Sequence, residues 1–239
     1  IKVLDAAKGE YVTGGAKADE LVARILKKPA AERFKLLRET EHPQAQFLWA
    51  VFRDVFHYIA VHLESIADNA RDVDFAIRWG FGWNEGPFET WQSAGWKEIA
   101  GWVSEDIAAG KGLSTAPLPA WVSEIEGVHT AAGSYAPAKK AFVPRSTLPV
   151  YQRQAFPAAL VGENGADPKT AGTTVLENDA IRLWHQGDDV LIASFKTKMN
   201  TIGPDVLDGL VQAIELAEQK YAGLVIWQTG SLTGGPFSA

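Results

Sequence analysis

The 239-residue chain is 46% hydrophobic and 22% charged, the balance of a sequence that buries a core and is not disordered. Its net charge of -6 argues against a nucleic-acid partner, which needs a basic face. The absence of cysteine removes disulfides, thiolate metal sites and a cysteine nucleophile, and sets the expectation of a reducing, cytoplasmic compartment.

The first 112 residues read as helical. In "AKADELVARILKK" (Ala16 to Lys28), Leu21, Ala23, Ile25 and Leu26 fall on roughly one side. "AAERFKLLRET" follows Pro29, a residue suited to a helix start. A long helix is expected from Pro43 to Ala67, with apolar residues at 48, 52, 55, 56, 59 and 63 making a buried stripe. Within it, "FLWAVFRDVFHYIAVHL" carries Arg53, Asp54 and His57. A membrane span needs ~20 mostly apolar residues, so this is a core helix and no span is expected. A further helix runs from about Arg71 to the glycines of "WGFGW". Another begins at Gly86-Pro87 and continues to Gly110, with Gly95 and Gly101 as candidate kinks.

From Leu113 to Gly172 the pattern dissolves, and seven of the twelve prolines lie there. A patternless stretch of that length is too long for an ordinary loop. Trp121, Tyr135, Phe142, Tyr151 and Phe156 give it apolar anchors, so it reads as an extended connector packed along a surface. Strand periodicity takes over in "TTVLEN", "AIRLWHQ" and "DVLIASF", separated by Asn178-Asp179 and by Gly187-Asp188-Asp189. The helix "GPDVLDGLVQAIELAEQKY" follows, with Leu207, Leu210, Val211, Ile214 and Ala217 as its expected buried face, and then the strand "GLVIWQT". Strand, helix and strand of this length predict a crossover in a parallel sheet. The fold class is therefore α+β, with a helical domain over 1–112, a connector over 113–172 and the opening of an α/β domain over 173–239.

Candidate chemistry is sparse. His57 and His62 are five residues apart and do not share a helix face as an i, i+4 zinc pair would, so each reads as a packed or hydrogen-bonded residue and no metal site is expected. Asp68, Asp72 and Asp74 gather at a helix start, with Asn69 or Asp72 as its cap. "GFGWNEGPFETW" has the glycine density of a phosphate loop, but no strand precedes it, and it reads as a tight corner between helices.

Two stretches nevertheless resemble known families. "ADNARDVDFAIRWGFGWNEGPFETWQSAGW" (Ala67 to Trp96) resembles the C-terminal helical domain of 3-hydroxyacyl-CoA dehydrogenases, in the pattern D-x-A-x-x-x-G-x-G-x-x-x-G-P-F, and the similarity extends back through "RFKLLRETEHPQAQFLWAVFRDVFHYIAVHL". "VLIASFKTKMNTIGPDVLDGLVQAIELAEQKYAGLVIWQTG" (Val190 to Gly230) resembles the opening of the enoyl-CoA hydratases, the crotonase fold.

In this order the resemblances imply the middle of a bifunctional fatty-acid β-oxidation protein that uses NAD and acyl-CoA substrates. The dehydrogenase's nucleotide-binding domain would precede Ile1, and its lobe implies dimerisation. The present lobe matches a second, degenerate copy that supports structure more than chemistry. The crotonase resemblance places Lys198, Met199 and Asn200 beside bound CoA. It also places Phe237, Ser238 and Ala239 at the start of a Phe-small-small-Gly-Ala-Asp loop, in which one backbone N–H donates to the thioester oxygen. The residues themselves equally allow a polar turn at 198–200 with Asn200 left-handed. No initiator methionine is present and the end falls inside a motif, so both ends are expected to be cut, with the catalytic carboxylates of hydration lying further on. Two other functions compete: a structural module joining two enzyme halves, and a stand-alone CoA-binding protein.

Overall fold

The computed structural model describes residues 2–14, 18–165, 167 and 169–228, so Phe237, Ser238 and Ala239 lie outside the described residues. Helix and sheet are mixed, and the chain divides into two compact units, Ile1–Asn164 and Gly165–Ala239.

The first unit opens with strand and not helix. β1 (Lys2–Asp5) pairs antiparallel with β2 (Glu10–Thr13), Lys2 opposite Thr13. Turn chemistry decides this: the Asp5 carboxylate accepts from the Ala7 and Lys8 amides, and Gly9 takes φ +67 to close the hairpin.

α1 (Glu20–Ile25) is capped by the Asp19 carboxylate, which accepts from Leu21 N at 2.9 Å. It is shorter than expected and buries Val22 and Ile25, while Leu21 and Leu26 stay exposed. α2 (Ala30–Glu39) starts directly after Pro29 and buries Phe34 and Leu37.

α3 (Pro43–Ile66) has the expected length, but the centre of its buried side runs through Trp49, Arg53, Phe56, Ala60 and Leu63. Leu48, Phe52 and Val55 flank that line half-buried. An apolar count passes over Arg53 and His57, which are buried because their polar atoms have partners.

α4 (Ala70–Phe81) begins at Asn69, whose side-chain oxygen accepts from Arg71 N, while Asp72 receives the Asn69 amide instead of capping. It ends at Gly82, left-handed at φ +70. α5 (Pro87–Ala108) starts at Gly86-Pro87 and breaks helical geometry at Gly95 (φ +109), whereas Gly101 remains helical.

Beyond α5 the proline-rich stretch carries short elements. They are α6 (Trp121–Glu124), the antiparallel strands β3 (His129–Thr130), β4 (Gly133–Ala136) and β5 (Ala141–Val143), and the single turn α7 (Pro149–Gln152). β4 is buried along its whole length, and Tyr135 within it belongs to the helical core. Trp121 stacks between Trp96 (6.1 Å) and Tyr135 (5.2 Å), and Trp96 stacks on Trp91 at 4.2 Å. Trp91, Trp96, Trp121 and Tyr135 are thus one ring stack joining α5 to the small sheet, each pair adding ~0.5–1.5 kcal/mol beyond the area it buries. Tyr151 is exposed.

The second unit is a four-stranded sheet, β6 (Thr173–Glu177), β7 (Ile181–His185), β8 (Val190–Phe195) and β9 (Gly223–Ile226), in the order β6-β7-β8-β9. The first three strands are antiparallel neighbours. β9 lies parallel to β8 and is reached through α8 (Pro204–Lys220), the crossover that the sequence predicts.

α8 turns to the sheet a side shifted from the one expected, sharing with it only Ala217 and the partly buried Leu210. Val206, Gly209, Ala213 and Ala217 are buried, whereas Leu207, Val211 and Ile214 are about half exposed. Small residues let the helix come close: a Cβ on Gly209 would stand 2.5 Å from Ile181 Cγ2. Apolarity alone selects the larger side chains one position along.

Candidate functional site

Lys198, Met199 and Asn200 form a single 3-10 turn between β8 and α8 in the second unit. Met199 and Asn200 both adopt left-handed backbone, at φ 58 and 52, and the turn is closed by Thr201, whose hydroxyl donates to the Lys198 carbonyl at 2.8 Å. Lys198 and Met199 are exposed. Ser238 and Ala239 lie outside the described residues.

Sequence reasoning passed over the densest polar cluster of the first unit. The corner between α4 and α5 brings Asp74 against the start of α5, where its carboxylate accepts from Phe88 N (2.8 Å) and Glu89 N (3.0 Å). Anionic oxygen at a helix N-terminus satisfies free amides and meets the positive end of the helix dipole. Gly86 permits the approach, since a Cβ there would stand 2.4 Å from Asp74 Cα.

The same carboxylate meets His129 Nε2 at 2.7 Å, and His129 Nδ1 meets the Ser134 hydroxyl at 2.9 Å. Three N–H groups aimed at one carboxylate make Asp74 the acceptor, so His129 donates through Nε2 and Ser134 donates to Nδ1. Burial pushes the Asp74 carboxyl above the ordinary range, against the hydrogen bond from His129. Glu89 is also held high by burial while it accepts from Gly86 N and Val161 N.

A serine, a histidine and an aspartate in sequence along hydrogen bonds suggest acyl transfer. Here the Asp74 and His129 side chains and Ser134 are all fully enclosed, with no exposed surface for a substrate to reach. Gln92 fastens the cluster from outside, accepting from His129 N and donating to His129 O. The arrangement ties β3 and β4 to the helical corner. A second buried carboxylate, Glu163, receives Arg71, Arg145 and Leu160 N; burial pushes it up, but those donors hold it below the ordinary range.

An accessible feature of this unit is an apolar groove of about 800 Å³. One wall is α3, through Phe47, Val51, Val55, Tyr58 and Ile66; the other is α4 and its corner, through Val73, Ile77, Phe81, Trp83 and Pro87. Leu113, 90% exposed, and Ser114 border it. Two of its polar groups are already engaged: Asp54 accepts from Arg53 and Leu113 N, and His57 Nε2 donates to the Ala116 carbonyl at 2.7 Å. His62 is exposed, its ring 4.5 Å from that of Tyr58.

Beside the groove lies a polar basin of about 520 Å³, lined by Arg38, Glu39, Gln46, Arg53, Asp106 and Lys111, with Ala50 common to both. Arg53 is held by Asp54, Asp106 and the Lys111 carbonyl, and Arg38 by Glu105. Among the described residues, no group of three or more His, Asp or Glu side chains is arranged to hold a metal ion, and no helix is long and apolar enough to cross a membrane.

The chain is similar to a probable 3-hydroxyacyl-CoA dehydrogenase of Bacillus subtilis (strain 168), 30% identical over 222 residues, covering 90% of this chain and 26% of that protein. The chain thus spans about a quarter of the length of the curated relative it matches. No family model and no solved structure matches. The similarity supports the dehydrogenase resemblance of the helical corner.

Proposed function

We propose that this chain is a segment of a multifunctional fatty-acid β-oxidation enzyme that oxidises 3-hydroxyacyl-CoA with NAD and hydrates enoyl-CoA. The segment contributes architecture and substrate contact, with the reacting groups elsewhere in the polypeptide. The observation that carries the dehydrogenase part of the reading is the 30% identity to a probable 3-hydroxyacyl-CoA dehydrogenase along 90% of the chain; the hydratase part rests on the crotonase resemblance of Val190 to Gly230 alone. In this reading residues 1–112 are the dehydrogenase-type helical lobe, 113–172 the connector and 173–239 the opening of a crotonase-type domain.

NAD supplies the hydride acceptor in the oxidation. The passage from β8 to α8 runs K-T-K-M-N-T-I-G and lacks the glycine spacing that brings backbone against a dinucleotide pyrophosphate, so these residues do not form a dinucleotide cradle. For hydration, negative charge builds on the thioester oxygen, and losing one backbone donor there costs roughly 100- to 1000-fold in rate. The crotonase resemblance would assign Ser238 and Ala239 to the start of the stretch that supplies such a donor. Lys198 at the exposed 198–200 turn is placed to attract a CoA phosphate.

The enclosure of Asp74, His129 and Ser134 favours the structural-module aspect of this reading, since no substrate reaches the cluster. The test is to assay the longest natural polypeptide containing this sequence for NAD reduction with 3-hydroxyacyl-CoA and for hydration of enoyl-CoA, beside the 239-residue chain. Activity in the longer protein and none in the chain is expected. An inactive longer protein that binds neither substrate overturns the proposal.

A further inference from the structure

We propose that the α3–α4 groove binds the tail of a long, unbranched acyl chain, whose anionic head lies toward Lys111. The identification of the ligand as an acyl chain rests on the acyl-CoA reading above; the site itself rests on four features of the groove.

First, its volume of about 800 Å³ falls in the ~300–1,000 Å³ range of small-molecule sites. Second, it follows α3 from Phe47 to Ile66, roughly 28 Å at ~1.5 Å per residue. An acyl chain of one membrane leaflet spans ~15 Å, half the ~30 Å hydrocarbon core, so the groove accommodates a long chain laid along the helix.

Third, the groove offers few free polar groups, the exposed Tyr58 hydroxyl and His62 ring. Asp54 and His57 already have partners within the chain, and Ser114 Oγ accepts from Ala116 N. A nucleotide or a peptide backbone laid there would lose more hydrogen bonds to water than these two groups replace, whereas a hydrocarbon loses none.

Fourth, the groove opens on charge at one side. Ala50 lines both the groove and the polar basin, and the segment 111–114 contributes Lys111 to the basin and Leu113 and Ser114 to the groove. Glu39 and Asp106 also line the basin. Arg38 and Arg53 are closely paired, but the Lys111 ammonium is 65% exposed and stands 3.7 Å from Asp106, its looser contact leaving it open to an incoming anion. An apolar channel beside a cation fits an amphiphile with an anionic head better than it fits a protein face.

The test is displacement of a fluorescent conjugated-tetraene fatty acid from the 239-residue chain by saturated fatty acids of increasing length, by the matching alcohols and by the matching acyl-CoA esters. Affinity is expected to rise about two- to fourfold per added methylene until the groove is filled. Val51→Trp and Ile66→Trp, both at exposed wall positions, should fill the channel and abolish binding while leaving the fold intact. Lys111→Glu should weaken acids and leave alcohols unchanged.

The CoA ester displacing the probe better than the free acid of equal length identifies the ester as ligand; the reverse order identifies the free acid. No saturable binding, binding indifferent to both tryptophan variants, or a concentration-dependent dimer that those variants dissolve would each overturn the proposal, the last by assigning the groove to a second copy. Probe binding with an inactive longer protein removes the dehydrogenase reading alone. Turnover without probe binding removes the groove alone.

Discussion

Two regions of the first unit divide between them what a functional site needs. The Asp74–His129–Ser134 cluster has the residue types and hydrogen-bond order of acyl-transfer chemistry but no access, because its side chains are sealed beneath α4, α5 and β4. The α3–α4 groove has access and volume but few polar atoms, and Asp54 and His57 among them are already engaged. Side-chain identity alone therefore points to the wrong place, and exposure decides. An enclosed polar network of this kind specifies the fold: every donor and acceptor is met, and removing one member leaves the others unpaired in a dry interior.

Breaking the enclosed cluster should have the largest effect. His129→Ala leaves the Asp74 carboxylate buried with two amides but without its imidazole, and is expected to destabilise the first unit by ~3–5 kcal/mol in denaturant unfolding. A loss below ~1 kcal/mol would show that the cluster is peripheral to stability.

Glu163→Gln comes next, at about 2–3 kcal/mol, because Arg71 and Arg145 lose a charged acceptor. Its pH dependence has a defined sign. Glu163 is held below its ordinary value of 4.5, so its contribution is complete above that value and is lost as pH falls through the folded-state pKa. The gap between wild type and variant should narrow on acidification. A gap that widens would contradict the assigned pairing. Asp74 and Glu89, held high by burial, run the other way: their contribution is greatest below the ordinary carboxylate values and declines as pH rises.

The smallest effect is expected at Leu207→Asp. Leu207 is 53% exposed on the open side of α8, and the change should stay within about 0.5 kcal/mol. A large loss would restore the face that periodicity alone suggested.

That face shows where the sequence is legible and where it is not. The helices from Ala30 to Ala108 and the β8–α8–β9 crossover follow from local signals: Pro29, Pro43 and Pro87 at starts, Gly82 at an end, and turn residues between strands. The phase of α8 does not follow, because contact is set by Val206, Gly209 and Ala213 beside the expected Ala217, and a search for large apolar side chains passes over Gly209 and Ala213.

The N-terminal hairpin escaped because two four-residue strands carry too few residues to show a period. The glycines of "GFGWNEGPF" mark a corner in the sequence, but the reason for one of them appears only in three dimensions: Gly86 is small so that Asp74 can reach the amides of Phe88 and Glu89. His129 lies 55 positions from Asp74, and no local pattern joins them. The groove is likewise a property of two helices together, assembled from residues that each look like ordinary core.

The central claim is that the enclosed cluster holds the lobe together and does no chemistry. Ser134→Ala in the longest natural polypeptide containing this sequence tests it most directly, because it deletes one oxygen and leaves Asp74 and His129 paired. Dehydrogenase and hydratase kcat within about threefold of wild type, together with a stability loss of ~1–3 kcal/mol, is the predicted result. A kcat lowered by ~1000-fold or more in a fully folded variant is the signature of a lost nucleophile and would contradict the account.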